Sequence, residues 1–143
     1  MGIISLQLNT YLEKAGIDDA TSLLSGFSFE RDTDVEYFIR EKAIPFEYAD
    51  HARTTLICWL DDTTKSLSLI AYYSIANQVF KLDRLTKSKQ RSIRGGNVRD
   101  NNKDNTVSAL LIGQIGKNDN APITLNSNAL FNQIFLSIHT INC

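Results

Sequence analysis

The sequence predicts a mixed α/β fold in which a β-sheet is flanked by helices. Three observations support this: helical periodicity near both ends of the chain, a β-hairpin pattern in the middle, and a further apolar strand pattern at residues 107–116. The predicted order is helix, helix, strand, strand, connection, strand, helix. No repeat or linker divides the 143 residues, so we expect one domain over residues 1–143.

Helical spacing predicts three helices. The first carries an apolar stripe and ends at Gly16, which is placed as a C-terminal cap. The stripe consists of Ile4, Leu8, Tyr11, Leu12 and Ala15. The second begins near Thr33, which has capping-box spacing to Glu36, and is expected to end before Pro45. The last begins at residues 126–128, which are good N-cap residues, and continues with apolar positions on one face.

Three strands are predicted between the second and the last helix. Residues 54–60 are β-branched and aromatic, residues 61–66 are turn formers, and residues 67–79 form a second run, which together indicate a β-hairpin. Residues 107–116 are typical of a largely buried strand, and the polar residues 81–105 of an irregular connection. Tyr72 and Tyr73 lie on opposite strand faces. Either one of them faces a cleft, or one packs in the core while the other covers an edge or a helix.

Composition excludes several classes of protein. With 43% hydrophobic residues and a net charge of −1, the chain is neither disordered nor strongly charged. No apolar stretch reaches the ~18–20 residues that a membrane helix needs, and no signal peptide is recognisable, so we expect a cytoplasmic protein that does not bind membranes. Cys58 and Cys143 suggest no disulfide framework.

Known catalytic and metal-binding motifs are missing from the sequence. There is no Walker loop, Rossmann glycine fingerprint or GxSxG elbow. His51 and His139 have no partner at metal-ligand spacing, so we expect no metal site.

Charge is distributed unevenly along the chain. Residues 1–64 carry a net charge of −7, and residues 65–143 carry a net charge of +6. Residues 85–99 contain five bases and no acid, namely Lys87, Lys89, Arg91, Arg94 and Arg99. This stretch is either a solvated loop or a positive patch that attracts phosphates.

The strand, loop and helix at residues 110–141 form the most informative segment. A helix N-terminus offers unpaired N–H groups to an anion, and here Lys117, Thr124 and residues 126–128 add side-chain donors. The segment is either a phosphate-binding corner or an ordinary capped helix.

Four short segments resemble, in the right order, the GNAT acetyltransferase superfamily and particularly its bacterial and phage toxin-related members. They are residues 35–43 (VEYFIREKA), 53–57 (RTTLI), 70–75 (IAYYSI) and 111–118 (LIGQIGKN). The resemblance covers residues 29–138 and implies a mixed sheet flanked by helices, with acetyl-CoA as cofactor.

The resemblance also implies roles for individual residues. The positions that match the cofactor-binding strand and phosphate loop are Ile115, Gly116, Lys117, Thr124, Asn126, Ser127 and Asn128. Tyr73 and Gln114 would line the acceptor side, and no catalytic base is assigned.

Two departures from the family pattern stand out. Residues 122–129, which match the position of the family's phosphate loop, contain no glycine, whereas the family's loop has the pattern Q/R-x-x-G-x-G/A. The chain also lacks the usual C-terminal strand-helix-strand portion, with its tyrosine that protonates the thiolate. We therefore expect a short variant, a truncated gene, or a protein that completes its sheet from a partner.

The predicted function is acetyl-CoA-dependent N-acetylation of a primary amine on a small molecule, a protein or an aminoacyl-tRNA. The alternative is a catalytically degenerate GNAT-fold interaction protein. Expected partners are acetyl-CoA and the amine acceptor, with tRNA at the basic stretch and either a second copy or an antitoxin-like protein at an uncovered strand edge. A small nucleic-acid-binding module is less well supported, because no aromatics alternate with the bases of residues 85–105.

Overall fold

The computed structural model describes residues 2–81, 86–89, 106–123 and 125–141. The chain divides into two compact units, one made of Met1–Ile75 with Ile112–Cys143 and the other of Ala76–Leu111. The first unit contains the helices described below and the predicted site residues. In the second unit, the described residues are the outer parts of two strands and a helical turn at residues 87–89.

Besides the helical turn at residues 87–89, the described residues include four strands and five α-helices, with one π-helical segment between two of the helices. In chain order they are β1 (Gly2–Gln7), α1 (Leu8–Ala15), α2 (Ile17–Ser25), α3 (Thr33–Tyr37), the π-helical segment (Phe38–Lys42), α4 (Ala43–Tyr48), β2 (Arg53–Leu60), β3 (Leu67–Lys81), β4 (Thr106–Lys117) and α5 (Ser127–Ile141). The sheet order is β1-β2-β3-β4 and the strands are antiparallel. The predicted mixed fold is confirmed.

The start of the chain differs from the prediction. Residues 2–7 form a strand that pairs with β2 from Gly2↔Leu60 to Gln7↔Thr55, so Ile4 belongs to β1 and the first helix begins only at Leu8. Burial alternates along β1, as period-2 geometry requires, and the cross-strand partner outweighs the helical spacing of Ile4. Gly16 does end α1, with a φ of 91° that glycine adopts without strain. Helix α2, which follows immediately, was not predicted.

The predicted second helix is three consecutive segments. Its N-cap is Asp32 rather than Thr33, because the Asp32 carboxylate accepts a hydrogen bond from the Asp34 amide at 2.9 Å. The prediction that the helix ends before Pro45 was wrong. Pro45 lies in the first turn of α4, after the π-helical segment, where an amide donor needs no intrahelical partner.

The predicted hairpin is confirmed. Strands β2 and β3 pair from Arg53↔Ile75 to Leu60↔Leu67, with a register shift between Ile57 and Cys58. The turn is closed by Asp61, whose carboxylate accepts from the Thr63 amide at 2.8 Å and whose carbonyl accepts from the Lys65 amide at 2.8 Å.

The main core lies between α1–α4 and one face of the sheet. Tyr72 is its centre: the ring is fully buried, meets Phe27 edge-on at 5.2 Å between centroids, and its hydroxyl donates to the Val35 carbonyl at 2.6 Å. Tyr73 is also buried, with 1% of its surface exposed. The two rings thus both contribute to packed interior, on opposite faces of β3.

The prediction that β4 is largely buried was wrong for residues 111–117, where side chains are described. Leu111 is 43% exposed, Gly113 is exposed, and only Gly116 is buried. This is the exposure expected of the last strand of the sheet order, which has a neighbour on one side only among the described strands. No helix in the described ranges is long and apolar enough to span a membrane.

Cys58 is a buried, free thiol on the core side of β2, and burial raises its pKa from the ordinary 9.0 to about 12. The folded chain therefore keeps the proton at pH values where the unfolded chain loses it, and the contribution of this group to stability falls as pH rises from about 9 towards 12.

We expect the thiol of a Cys143→Ser variant to resist a thiol-reactive dye when folded at pH 8 and to react fully in denaturant. Equal reaction rates in both states would contradict the burial.

Candidate functional site

The last four residues of β4, Gln114 to Lys117, border the candidate site. Gly116 points at the core, because a Cβ built there meets Val35, Phe27 and Tyr72. Side chains alternate along a strand, so Lys117 points to the opposite face, where its ammonium group donates to the Ser127 hydroxyl at 3.0 Å. Gln114 and Ile115 are half-buried.

Gly116 is required by packing. A Cβ at this position would overlap the Val35 side chain and lie 3.0 Å from Phe27 Cζ and 3.3 Å from Tyr72 Cε1. The absence of a side chain at position 116 thus lets β4 approach the aromatic centre of the core. This packing requirement is a structural reason for the glycine that the family resemblance does not supply.

The first turn of α5 lies next to Lys117. Asn126 is the N-cap, since its carboxamide oxygen accepts from the Ala129 amide at 2.7 Å, and its carbonyl accepts the first helical hydrogen bond from Leu130 at 3.1 Å. The prediction of an N-cap at this place is confirmed. The amides of Ser127 and Asn128 precede that first helical bond and face outward with the positive end of the helix dipole.

The structure therefore brings together part of the predicted set. Lys117 and Ser127 are in contact, and Asn126 and Asn128 flank Ser127. Asn126, Ser127 and Asn128 are exposed. Thr124 lies outside the described residues, as do Arg91, Arg94 and Arg99 of the basic stretch. Lys87 and Lys89 of that stretch are exposed.

Asn118 is a polar residue of this region that the prediction did not single out as a site residue. It directly follows β4, and its amide side chain binds two other segments, at Ser28 and Leu69, as well as Asn120 of its own turn. The sequence signal is weak, because an asparagine in a polar loop is ordinary turn chemistry.

A second polar cluster lies at the other end of the helical layer. The Glu47 carboxylate is buried, accepts from Arg53 at 2.7 Å and from the Thr54 amide at 2.7 Å, while Arg53 also pairs with the exposed Asp50. The pKa of the Arg53 guanidinium is raised above its ordinary value, first because of the hydrogen bond to Glu47. Glu47 and Arg53 border a cleft of about 350 Å³ whose further walls are Asn9, Leu12, Glu13 and Tyr48.

His51 contacts the Phe46 ring edge-on at 5.5 Å between centroids. In the described part of the chain no group of three or more metal-binding side chains comes together.

No protein-family model and no curated protein matches the sequence, but several solved structures match, including one of KacT and one of AtaT. A tyrosine-to-phenylalanine mutant of KacT superposes with a TM-score of 0.64 and 11% identity, covering 99% of this chain and 69% of that one. AtaT complexed with acetyl-methionyl-tRNAfMet superposes with a TM-score of 0.60 and 15% identity, covering 99% of this chain and 68% of that one.

Both neighbours are GNAT-fold toxins. The chain therefore has the GNAT fold, and the resemblance drawn from its sequence is confirmed at the level of the fold.

Proposed function

We propose that the chain is an acetyl-CoA-dependent N-acetyltransferase that acts on a primary amine. The observation that carries the proposal is the Lys117–Ser127 contact, which joins the end of β4 to the first turn of α5 on a GNAT fold. The same corner combines an ammonium group, a hydroxyl and outward-facing amides. These groups donate hydrogen bonds of the kind that the oxygens of a diphosphate accept.

The donor set fits acetyl-CoA in two respects. On one side β4 has no neighbouring strand among the described residues, so its backbone groups near Ile115 are available to the amides of a pantetheine arm. At the α5 end, Lys117 and the first-turn amides supply the positive potential for the diphosphate.

The lack of glycine at residues 122–129 changes which groups bind phosphate. Without glycine, close backbone approach is restricted, so the direct contacts pass to the Lys117 and Ser127 side chains, while the outward-facing amides of Ser127 and Asn128 add positive potential. Asn126 contributes through the cap, because its side-chain oxygen is occupied by the Ala129 amide. Thr124 remains a proposed phosphate contact.

Bound acetyl-CoA would supply an activated acetyl thioester to the amine. The chain's part is to hold the two reactants in line and to offer backbone N–H groups of β4 to the developing negative charge. Gln114, half-buried on the strand, is the proposed acceptor-side residue. Tyr73 of β3 is the other proposed acceptor-side residue, and its buried side chain would support the acceptor side from the interior.

The proposed acceptor is the amino group of an aminoacyl-tRNA. This rests on the neighbour that is complexed with acetyl-methionyl-tRNAfMet and on the five bases of residues 85–99. Phosphate contacts from these bases would make acceptor binding weaken steeply with salt. The part of the unpaired side of β4 that the pantetheine arm leaves free would suit a second copy or an antitoxin-like protein.

A Lys117→Ala variant is expected to bind acetyl-CoA about tenfold more weakly than the wild type, because a charge-assisted contact to phosphate is worth ~1.5–3 kcal/mol and is partly screened at an exposed corner. Isothermal titration measures the dissociation constants. Lys14→Ala is the matched control, since Lys14 is an exposed lysine in the last turn of α1. Equal weakening in both variants would contradict a site at Lys117.

Acetyl transfer itself is tested by incubating the chain with radiolabelled acetyl-CoA and charged tRNA. Label on the aminoacyl group that falls about tenfold in Lys117→Ala, at acetyl-CoA concentrations below saturation, supports the proposal. Cofactor binding without transfer to any amine offered would favour the alternative, a non-catalytic interaction protein.

A further inference from the structure

We propose that Asn118 is a positioning residue, which fixes the turn after β4 so that Lys117 and the first turn of α5 present their donors together to a diphosphate. The inference rests on the proposed function for the identity of the ligand. Its structural basis is the hydrogen bonding of one half-buried side chain.

The carboxamide of Asn118 makes three hydrogen bonds, two to other segments and one within its own turn. Its oxygen accepts from the Ser28 amide at 2.9 Å and from the Asn120 amide at 3.0 Å, and its nitrogen donates to the Leu69 carbonyl at 2.7 Å. Both lone pairs of the oxygen are thus in use. A flipped carboxamide would turn its nitrogen towards two N–H donors and its oxygen towards a carbonyl, so the three partners fix the orientation of the side chain.

The backbone of the same residue adds two further hydrogen bonds. The Asn118 amide donates to the Ile70 carbonyl at 2.7 Å, and the Asn118 carbonyl accepts from the Ala121 amide at 3.2 Å. The turn that leaves β4 is therefore tied to the first residues of β3 and to the segment between α2 and α3.

Asp119 strengthens the link to that segment. Its amide donates to the Ser28 carbonyl at 2.7 Å, and its carboxylate accepts from the Glu30 amide at 2.9 Å. Asn120 is held more weakly, since its side-chain nitrogen lies 3.5 Å from the Gly26 carbonyl.

The position of Asn118 in the chain links this network to the site. It is bonded directly to Lys117, so the network fixes the backbone from which the lysine reaches Ser127. Small displacements of a positioned donor weaken an ionic contact strongly, which is why a residue that touches no ligand can control binding.

Two substitutions at this position separate its roles. Asn118→Ala removes all three side-chain hydrogen bonds. Asn118→Asp keeps the two accepted bonds but places a carboxylate oxygen against the Leu69 carbonyl, where no donor remains. Asn120→Ala is the matched control, as it deletes the same amide group two residues further along the turn.

The test compares three probes on folded protein, with folding checked by circular dichroism and a thermal melt. Acetyl-CoA is titrated by calorimetry, and inorganic pyrophosphate and S-acetylpantetheine, which has no diphosphate, are titrated by NMR. We expect both Asn118 variants to bind acetyl-CoA and pyrophosphate about tenfold more weakly. S-acetylpantetheine binding and the Asn120→Ala variant should stay near wild type.

Each other outcome points to one conclusion. Suppose that the wild type binds acetyl-CoA and the Asn118 variants bind it equally well, or that the variants bind all three probes more weakly by the same factor. In either case the positioning role is overturned and the proposed function stands. If the wild type binds pyrophosphate in an Asn118-dependent way but not acetyl-CoA, the proposed function fails and the positioning role is supported. Binding of neither ligand overturns both.

Discussion

Gly116→Ala is expected to lower the free energy of unfolding by about 2–3 kcal/mol, at the upper end of the range for overpacked cores. The new methyl group would overlap Val35 and crowd Phe27 and Tyr72, which are buried and have little room to move. Urea denaturation monitored by circular dichroism measures the change, and a valine at the same position should cost more.

Gly113→Ala is the matched control on the same strand. The nearest atom to a Cβ there is the Ser74 carbonyl oxygen at 4.0 Å, an ordinary contact, so the stability should change by less than about 1 kcal/mol. Equal losses of stability in the two variants would show that packing does not require a glycine at position 116.

Arg53→Ala is expected to cost about 2–3 kcal/mol of stability. The substitution leaves the Glu47 carboxylate buried, with its other oxygen on the Thr54 amide and no cation beside it. Removing one partner of a buried pair costs about 3–5 kcal/mol, and the figure is reduced here because half of the Arg53 side chain is exposed to water.

Asp50→Asn provides the comparison for this prediction, because asparagine tolerates the positive φ of 56° at this position and the charge alone is removed. Asp50 pairs with the same guanidinium, but its side chain is 75% exposed, so loss of its charge should cost at most about 1 kcal/mol. If Arg53→Ala were no more destabilising than Asp50→Asn in urea denaturation, the ion pair with Glu47 would not be stabilising the layer of helices against β2.

Local chemistry explains which elements were predictable. Gly16 and Asn126 mark helix ends through backbone conformation and side-chain capping, and the hairpin of residues 53–75 follows from β-branched runs around Asp61. These features depend on residues a few positions apart. For that reason the sequence was sufficient to predict them.

Features that depend on distant partners were mispredicted or missed. Ile4 has helical spacing to Leu8, yet pairing with Cys58 places it in a strand. Asn118 and Glu47 gain their importance from the carbonyl of Leu69 and the guanidinium of Arg53. A single sequence does not reveal which distant groups will meet.

Within the candidate site, the Lys117–Ser127 contact joins two residues that the sequence had assigned to one corner. Packing changed the interpretation of Gly116, whose missing side chain makes room for the core. The contributions of Tyr73 and Gln114 to the acceptor side stay predictions.

The central claim is that acetyl-CoA binds where β4 meets α5. At 16.1 kDa the chain is well suited to heteronuclear NMR, which reports on each backbone amide during a titration. We predict that acetyl-CoA shifts the amide signals of Gln114–Lys117 together with those of Ser127 and Asn128. The absence of any shift, or shifts confined to the cleft beside Arg53, would contradict the account.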